Sequence, residues 1–206
     1  MTRAKRAVDV LASVGGLAVL APLLVIIAGA VLTDGGPVMF RQLRVGRQGR
    51  LFRLWKFRTM VPDAERAGPQ LTAAGDRRIT PVGRWLRRTK LDELPQLLNV
   101  LAGDMSLVGP RPEVPRYVAC YTREQRQVLE LVPGITDPAS IAYRDEARIL
   151  ADADDPERLY VEQILPDKLR RNLAYASHAT LGQDLRIVLQ TLNLLARPTG
   201  VAFAPK

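Results

Sequence analysis

The stretch VDVLASVGGLAVLAPLLVIIAGAVL runs from Val8 to Leu32 with Asp9 as its one charge. An apolar run longer than about 20 residues can cross a bilayer as a helix. It is long for the apolar core of a secretory signal, and the basic, single-cysteine chain after it does not resemble a secreted one. Arg3, Lys5 and Arg6 precede the run, and Arg41, Arg44, Arg47, Arg50 and Arg53 follow it. Short basic flanks stay on the cytoplasmic side. A single straight span would carry one of these flanks across, whereas a re-entrant helix satisfies both. Pro22, near the middle, is placed to bend it, because proline removes one backbone hydrogen bond and clashes with the preceding turn. Neighbouring Ala21 has no side-chain oxygen to satisfy a freed carbonyl, so the re-entrant form is an expectation. Residues 1–35 are assigned to this membrane helix and 36–206 to a cytoplasmic domain.

Beyond the turn TDGGP (Thr33–Pro37), the strand-like runs VMFRQLRV and RLFRLWKFRTM flank GRQG, a pattern that predicts a β-hairpin. Alternation puts Phe52, Leu54, Lys56 and Arg58 on one face of the second run. Residues 64–67 could form a helical fragment. In 81–102 one or two short helices are expected, with Leu91, Leu94, Leu98 and Leu101 as the packed stripe. Longer helices are predicted over Arg116–Val132, and over Pro156–Ala176 with a break at Pro166. In the last helix, beginning near Thr180, the stripe Leu181, Leu185, Val188, Leu189, Leu192 and Leu195 reads as a packing face, with a membrane face as the alternative. The fold class is therefore mainly α with a small β-hairpin, in a compact membrane-associated domain behind a re-entrant membrane helix.

The chain of 206 residues carries a formal net charge of +9. Fourteen of its Lys and Arg lie between residues 36 and 90, against three acids there (Asp63, Glu65, Asp76). Such a patch favours a phosphate ligand or an anionic membrane lipid. Base-stacking aromatics are sparse, which argues against nucleic acid. Cys120 is the single cysteine and His178 the single histidine, so neither an internal disulfide nor a Cys/His zinc site is supported. No P-loop signature is present.

Two constellations remain. Asp92 and Glu93 follow the basic cluster Arg84, Arg87, Arg88, Lys90. A helix starting near Leu91 or Asp92 keeps Pro95 in its first turn. Asp92 would then sit at a helix N-terminus, where the dipole and nearby Arg residues favour the ionised form. It could cap that helix, bind a divalent cation, or attack phosphorus. The second constellation is GPRPE (Gly109–Glu113), in which Pro110 and Pro112 fix the backbone around Arg111. A guanidinium so held suits bidentate phosphate binding, although a rigid solvent-facing turn would look the same. Lys56 and Arg58, interleaved with aromatics, could reach a phosphate or form a solvated, lipid-facing patch.

KFRTM (Lys56–Met60), LDELPQLLNVLAGDMSLVGPRPE (Leu91–Glu113) and PGIT (Pro133–Thr136) together resemble the monotopic phosphoglycosyl transferases, bacterial sugar transferases of glycoconjugate synthesis. The likeness extends over nearly the whole chain. It implies a re-entrant helix with both ends cytoplasmic, at the cytoplasmic face of a bacterial inner membrane. It implies that Asp92 is the nucleophile toward the β-phosphate of a UDP-sugar, releasing UMP. Polyprenyl phosphate, of the undecaprenyl type, would then accept the sugar phosphate. Glu93 would accept a proton or orient groups. Mg2+ would sit near Asp92, Lys56 and Arg87 would hold phosphates, and Arg111 would bind nucleotide or acceptor phosphate. The family often has Ser-Pro at the bend, where this chain has Ala21-Pro22. After PGIT the run DPASIAYRDE (Asp137–Glu146) departs from the common pattern, so the sugar stays open. Two other readings stand beside this one: direct attack by the lipid phosphate with the carboxylates only holding magnesium, and a basic membrane-tethered scaffold. The final helix could mediate a homodimer or lie in the membrane interface, and the sequence decides neither.

Overall fold

A computed structural model describes residues 1–64, 68 and 71–196. Most of the fragment expected at 64–67 lies outside them. The fold is mainly helical with two small sheets. Helix α1 (Arg3–Thr33) contains the apolar run and is helical through Pro22. Thr2 caps it, its Oγ1 accepting from Lys5 N. Among the described residues it is the one helix long and apolar enough to cross a membrane. Its apolar side chains mostly face outward: Leu11, Val19, Val25 and Ile26 are each more than two-thirds exposed.

Both ends of α1 are fastened to the same body. At the start, Lys5 Nζ donates to Asp184 Oδ2 (2.5 Å) and to the Val108 carbonyl (3.0 Å). Arg6 donates to the Val100 and Leu101 carbonyls, and buried Asp9 accepts from Leu107 N. At the far end, Ile27 and Val31 pack on Phe57 and Leu86.

The expected hairpin is present as β1 (Met39–Val45) antiparallel to β2 (Leu51–Phe57), in the register Met39↔Phe57 to Val45↔Leu51. Its connection places Gln48 and Gly49 at positive φ (56° and 73°), which lets the chain reverse within Gly46–Arg50. Strand β2 is covered on both faces. Leu54 packs with Val100 and Met105, while Phe57 joins the α1 end.

Helix α2 (Pro81–Thr89) starts from Thr80, whose Oγ1 accepts from Gly83 N at 2.9 Å. Gly83 is required there, because a Cβ would stand 2.0 Å from the Thr59 carbonyl oxygen. Lys90, at φ 59°, turns the chain into a 3-10 turn, Leu91–Glu93, and α3 (Gln96–Ala102) follows. A helical start at Leu91 is thus present as expected, but as a 3-10 turn; the regular α3 begins after Pro95, whose missing N–H is harmless at that position. The expected stripe is corrected. Leu98 is 40% exposed, and the buried face consists of Gln96, Asn99 and Val100.

Strand β3 (Ser106–Val108) pairs in parallel with β4 (Gly134–Thr136). Between them the helix expected over Arg116–Val132 is divided into α4 (Pro115–Ala119) and a 3-10 segment, Gln125–Glu130. Thr122 divides it: its N–H donates to Gln125 Oε1 and its Oγ1 accepts from Gln125 N, a reciprocal cap that starts a new turn. Helices α5 (Pro138–Ala142), α6 (Glu146–Ala151) and α7 (Pro156–Leu159) lead to a π turn, Tyr160–Ile164, and then α8 (Leu165–Ala176). The break expected at Pro166 is this π turn, one step earlier, where wider coiling relieves the clash of the proline ring with the preceding turn. The largest core cluster joins α4 to α8 through Val114, Tyr117, Leu150, Ile164 and Leu169.

Helix α9 (Leu181–Ala196) overturns the packing expectation for its leucine stripe. Ile187 and Asp184 are buried, whereas Leu181, Leu185, Leu189, Leu192 and Leu195 are all exposed. The hydrogen bonds of Asp184 with Lys5 and Tyr175 fix which face turns inward, so a charged residue outweighs the leucines.

Candidate active site

The 3-10 turn between α2 and α3 carries the adjacent carboxylates, and the fold gives them opposite surroundings. Glu93 is fully engaged. Its Oε1 accepts from Arg111 Nη2 (2.6 Å) and Lys56 Nζ (3.3 Å), and its Oε2 accepts from Arg111 Nη1 (3.0 Å). This is the bidentate fork geometry in which arginine holds a carboxylate firmly. Burial alone would raise the Glu93 carboxyl, but Arg111 and Lys56 overcome it and hold it well below the usual range. Burial pushes the Lys56 ammonium down to about 8 against the pull of Glu93. The Glu93 charge raises Arg111, which stays a cation.

Asp92 is 6% exposed, and its Oδ1 is buried without a hydrogen-bond partner among the described residues. Burial first, and then the charge of Glu93, push its carboxyl above the usual range; Lys56, Lys90 and Arg87 pull it back. This corrects the expectation of a helix terminus favouring the ionised form: Asp92 does lie in the first turn of the 3-10 segment, but desolvation outweighs that position and the nearby cations. A buried acceptor with nothing donating to it has a large unmet demand. No group of three His, Cys, Asp or Glu able to hold a metal is present among the described residues. One open carboxylate nevertheless fits magnesium, which takes one or two carboxylates and completes its shell with water and substrate phosphate.

The two constellations, 18 residues apart in sequence, are one site. Arg111 is held on a braced loop. Pro110 O accepts from Gly134 N (3.0 Å), Pro112 O accepts from Arg44 Nη1 (2.9 Å), and Glu113 accepts from the Tyr160 hydroxyl. Pro110 and Pro112 are both buried, so they act as structural flanks of Arg111. Arg87 lies on α2 with Nε donating to Thr59 Oγ1 (2.8 Å), and its charge reaches Asp92.

Arg58 does not join them. Its guanidinium donates to the carbonyls of Val31, Gly35, Pro37 and Met60, and the residue is 5% exposed. The assignment of Arg58 to phosphate is therefore corrected: it fastens the end of α1 and the TDGGP turn to β2. Helix ends leave carbonyls without donors, and a buried guanidinium satisfies several at once.

Sequence reasoning passed over Gln96 and Asn99, both 1% exposed on the inward face of α3. The available signal was two polar residues three apart inside a leucine-rich helix, which marks a polar inward face; Asn99 is paired there, whereas Gln96 Nε2 has no partner among the described residues. Glu113 and Tyr160, as braces of the Arg111 loop, were also not assigned.

The family described as bacterial sugar transferase matches residues 1–198. The chain belongs to that family. It is 38% identical over 197 residues to the UDP-N-acetylgalactosamine-undecaprenyl-phosphate N-acetylgalactosaminephosphotransferase of Aeromonas hydrophila, covering 93% of this chain and 43% of that protein. It is 35% identical over 211 residues to the undecaprenyl-phosphate galactose phosphotransferase of Salmonella typhimurium (95% and 41%). It is 39% identical over 205 residues to the UDP-glucose:undecaprenyl-phosphate glucose-1-phosphate transferase of Caulobacter vibrioides (93% and 69%). This family member thus spans less than half the length of the first two relatives. The three names carry three different sugars at similar identity, so overall likeness does not select one.

Proposed function

We propose that this chain transfers a sugar 1-phosphate from a UDP-sugar to undecaprenyl phosphate, releasing UMP, at the cytoplasmic face of the bacterial inner membrane. The observation that carries this reading is the division of labour in the dyad. Asp92 is buried with no partner for its Oδ1 among the described residues, while Glu93 beside it is tied to Lys56 and Arg111. An unpaired carboxylate among cations is equipped to attack phosphorus. The names of the relatives supply the substrate classes.

In the proposed reaction Asp92 attacks the β-phosphorus of the UDP-sugar. The bond from that phosphorus to the bridging oxygen breaks, and the oxygen leaves with UMP. The sugar phosphate is then held on Asp92 as an acyl phosphate. An oxygen of undecaprenyl phosphate attacks the same phosphorus, the bond to Asp92 breaks, and undecaprenyl diphosphate sugar leaves. Lys56 and Arg111, oriented by Glu93, bind the phosphoryl oxygens as charge redistributes, and Arg87 binds the diphosphate. Glu93 acts by orienting cations, because a carboxylate so strongly stabilised as an anion is a poor proton acceptor. Magnesium held by Asp92 and the diphosphate would neutralise the leaving phosphate and favour the ionised carboxylate.

The test is UMP release by the full chain in lipid discs, across a panel of UDP-sugars, with and without magnesium and undecaprenyl phosphate. Turnover with one UDP-sugar that needs both lipid and metal is expected, with loss on chelation and recovery on adding magnesium. A folded protein that releases no UMP across the panel would overturn the reading.

The re-entrant membrane helix belongs to the same proposal. It is supported by the fastening of both ends of α1 to one domain, with an apolar outer face between them. Single cysteines at Thr2 and Asp34, in a Cys120→Ser background, are expected to react with an impermeant reagent from the cytoplasmic side only. Labelling of the two positions from opposite sides would establish a straight span instead.

A further inference from the structure

Asn99 occupies a position that nothing in the reaction uses directly. It lies on α3 with its carboxamide against the edge of β2 opposite β1. Its Oδ1 accepts from Trp55 N (3.0 Å), and its Nδ2 donates to the Arg53 carbonyl (2.9 Å) and to Asp104 Oδ2 (3.3 Å). The three-residue stretch of strand edge Arg53–Trp55 thus receives from one side chain the donor and acceptor that a third strand would offer. The same residue's carbonyl accepts from Asp104 N and Met105 N, which holds the end of α3.

Lys56 follows Trp55 directly, and Glu93 lies just before α3. Strand β2 and the α3 segment are therefore joined twice, by Asn99 and by the Lys56–Glu93 contact at 3.3 Å. The first link sets the register on which the second depends. A shift of β2 along α3 by part of a residue would carry the Lys56 ammonium out of reach of Glu93. We propose that Asn99 is a positioning residue of the transferase site, holding Lys56 at the dyad by fixing β2 to α3. This rests on the proposed transferase reading for its effect on turnover, but its geometric part does not.

The test therefore has two readouts. In lipid discs, Asn99→Leu is compared with wild type and with Leu150→Ala, a core change chosen for a similar loss of thermal stability. Lys56 acylation by a water-soluble reagent is followed by mass spectrometry. Several-fold faster labelling of Lys56 in Asn99→Leu, but not in Leu150→Ala, is the expected result. Unchanged labelling would overturn the proposal whatever the enzyme does. UMP release per folded molecule should fall about 100-fold in kcat, the order produced by a misplacement near 1 Å. In a Lys56→Met background the Asn99 change should add little, since both remove the same group. Losses that multiply would show that Asn99 acts on the fold at large. If Asn99→Leu does not fold, Asn99→Ser, which keeps an acceptor for Trp55 N, takes its place under the same criteria. Failure of wild type to release UMP would sink the transferase reading and leave the labelling result to stand or fall alone.

Discussion

Asp92→Asn is expected to lower UMP release by at least about 1,000-fold, with the thermal midpoint unchanged or raised. The size follows from removing the proposed nucleophile, a change for which losses of about 10⁴ to 10⁶ are known in covalent catalysis. The sign of the stability effect follows from the structure. Asp92 is 6% exposed with no hydrogen-bond partner for Oδ1, so the folded state carries an unsatisfied carboxyl group. A neutral amide of the same shape relieves part of that desolvation and removes the repulsion from Glu93. A change that stabilises the fold while abolishing turnover separates a reactive group from a structural cap, because loss of a cap would cost about 1 kcal/mol. The covalent step has its own check. With a UDP-sugar labelled in the β-phosphate and no lipid acceptor, wild type should retain label on Asp92, and the variant should retain none. Turnover without retained label would favour direct attack by the lipid phosphate.

Glu93→Gln is expected to act in the opposite way on stability. Glu93 neutralises two cations that the fold has already removed from water, with side-chain exposures of 16% for Lys56 and 25% for Arg111. Removing one member of such a buried group leaves the others uncompensated, at a cost of about 3–5 kcal/mol before relaxation. The amide keeps one acceptor for Arg111 and reduces the loss toward the lower end. The freed cations would then separate or draw in an anion. Turnover should fall about 100-fold as Lys56 and Arg111 lose their orientation. Phosphate added at millimolar concentration should restore thermal stability to the variant more than to wild type, by binding the freed cations. A variant as stable as wild type, with no response to phosphate, would show that Glu93 is not what holds the pair. Thermal unfolding in discs with graded phosphate provides the measurement.

These contrasting outcomes come from neighbouring residues of the same type, and the sequence could not assign them. From Arg84 to Pro95 it presents a basic cluster, two acids and a proline, and spacing leaves capping, metal binding and nucleophilic attack all open. The motif resemblance named Asp92 as the reactive member. What would leave it free to react, the missing partner of Oδ1 among the described residues, depends on which side chains arrive from β2 and from the Pro110–Pro112 loop. Arg58 shows the converse. Alternation along the second strand placed it with Lys56, and composition left both open as phosphate ligands or as a solvated, lipid-facing patch. The fold sends Lys56 to Glu93 and Arg58 to four carbonyls, those of Val31 in α1, Gly35 and Pro37 in the turn after it, and Met60 beyond β2.

What the sequence determined by itself was local. The apolar run with basic flanks, the hairpin around GRQG, helix starts near Pro81, Arg116 and Pro156, and the family motifs were all legible, because turn chemistry, periodicity and proline geometry act over a few residues. Tertiary structure decided which face of α3 and of α9 is buried. There Asn99 and Asp184 turned polar faces inward against the pull of leucines, since a buried polar group with partners is stable and one without them is not. Tertiary structure also decided which cations meet the dyad. Charge pairs across 18 and 37 residues depend on how distant backbone segments are brought together, and no spacing along the chain encodes that distance.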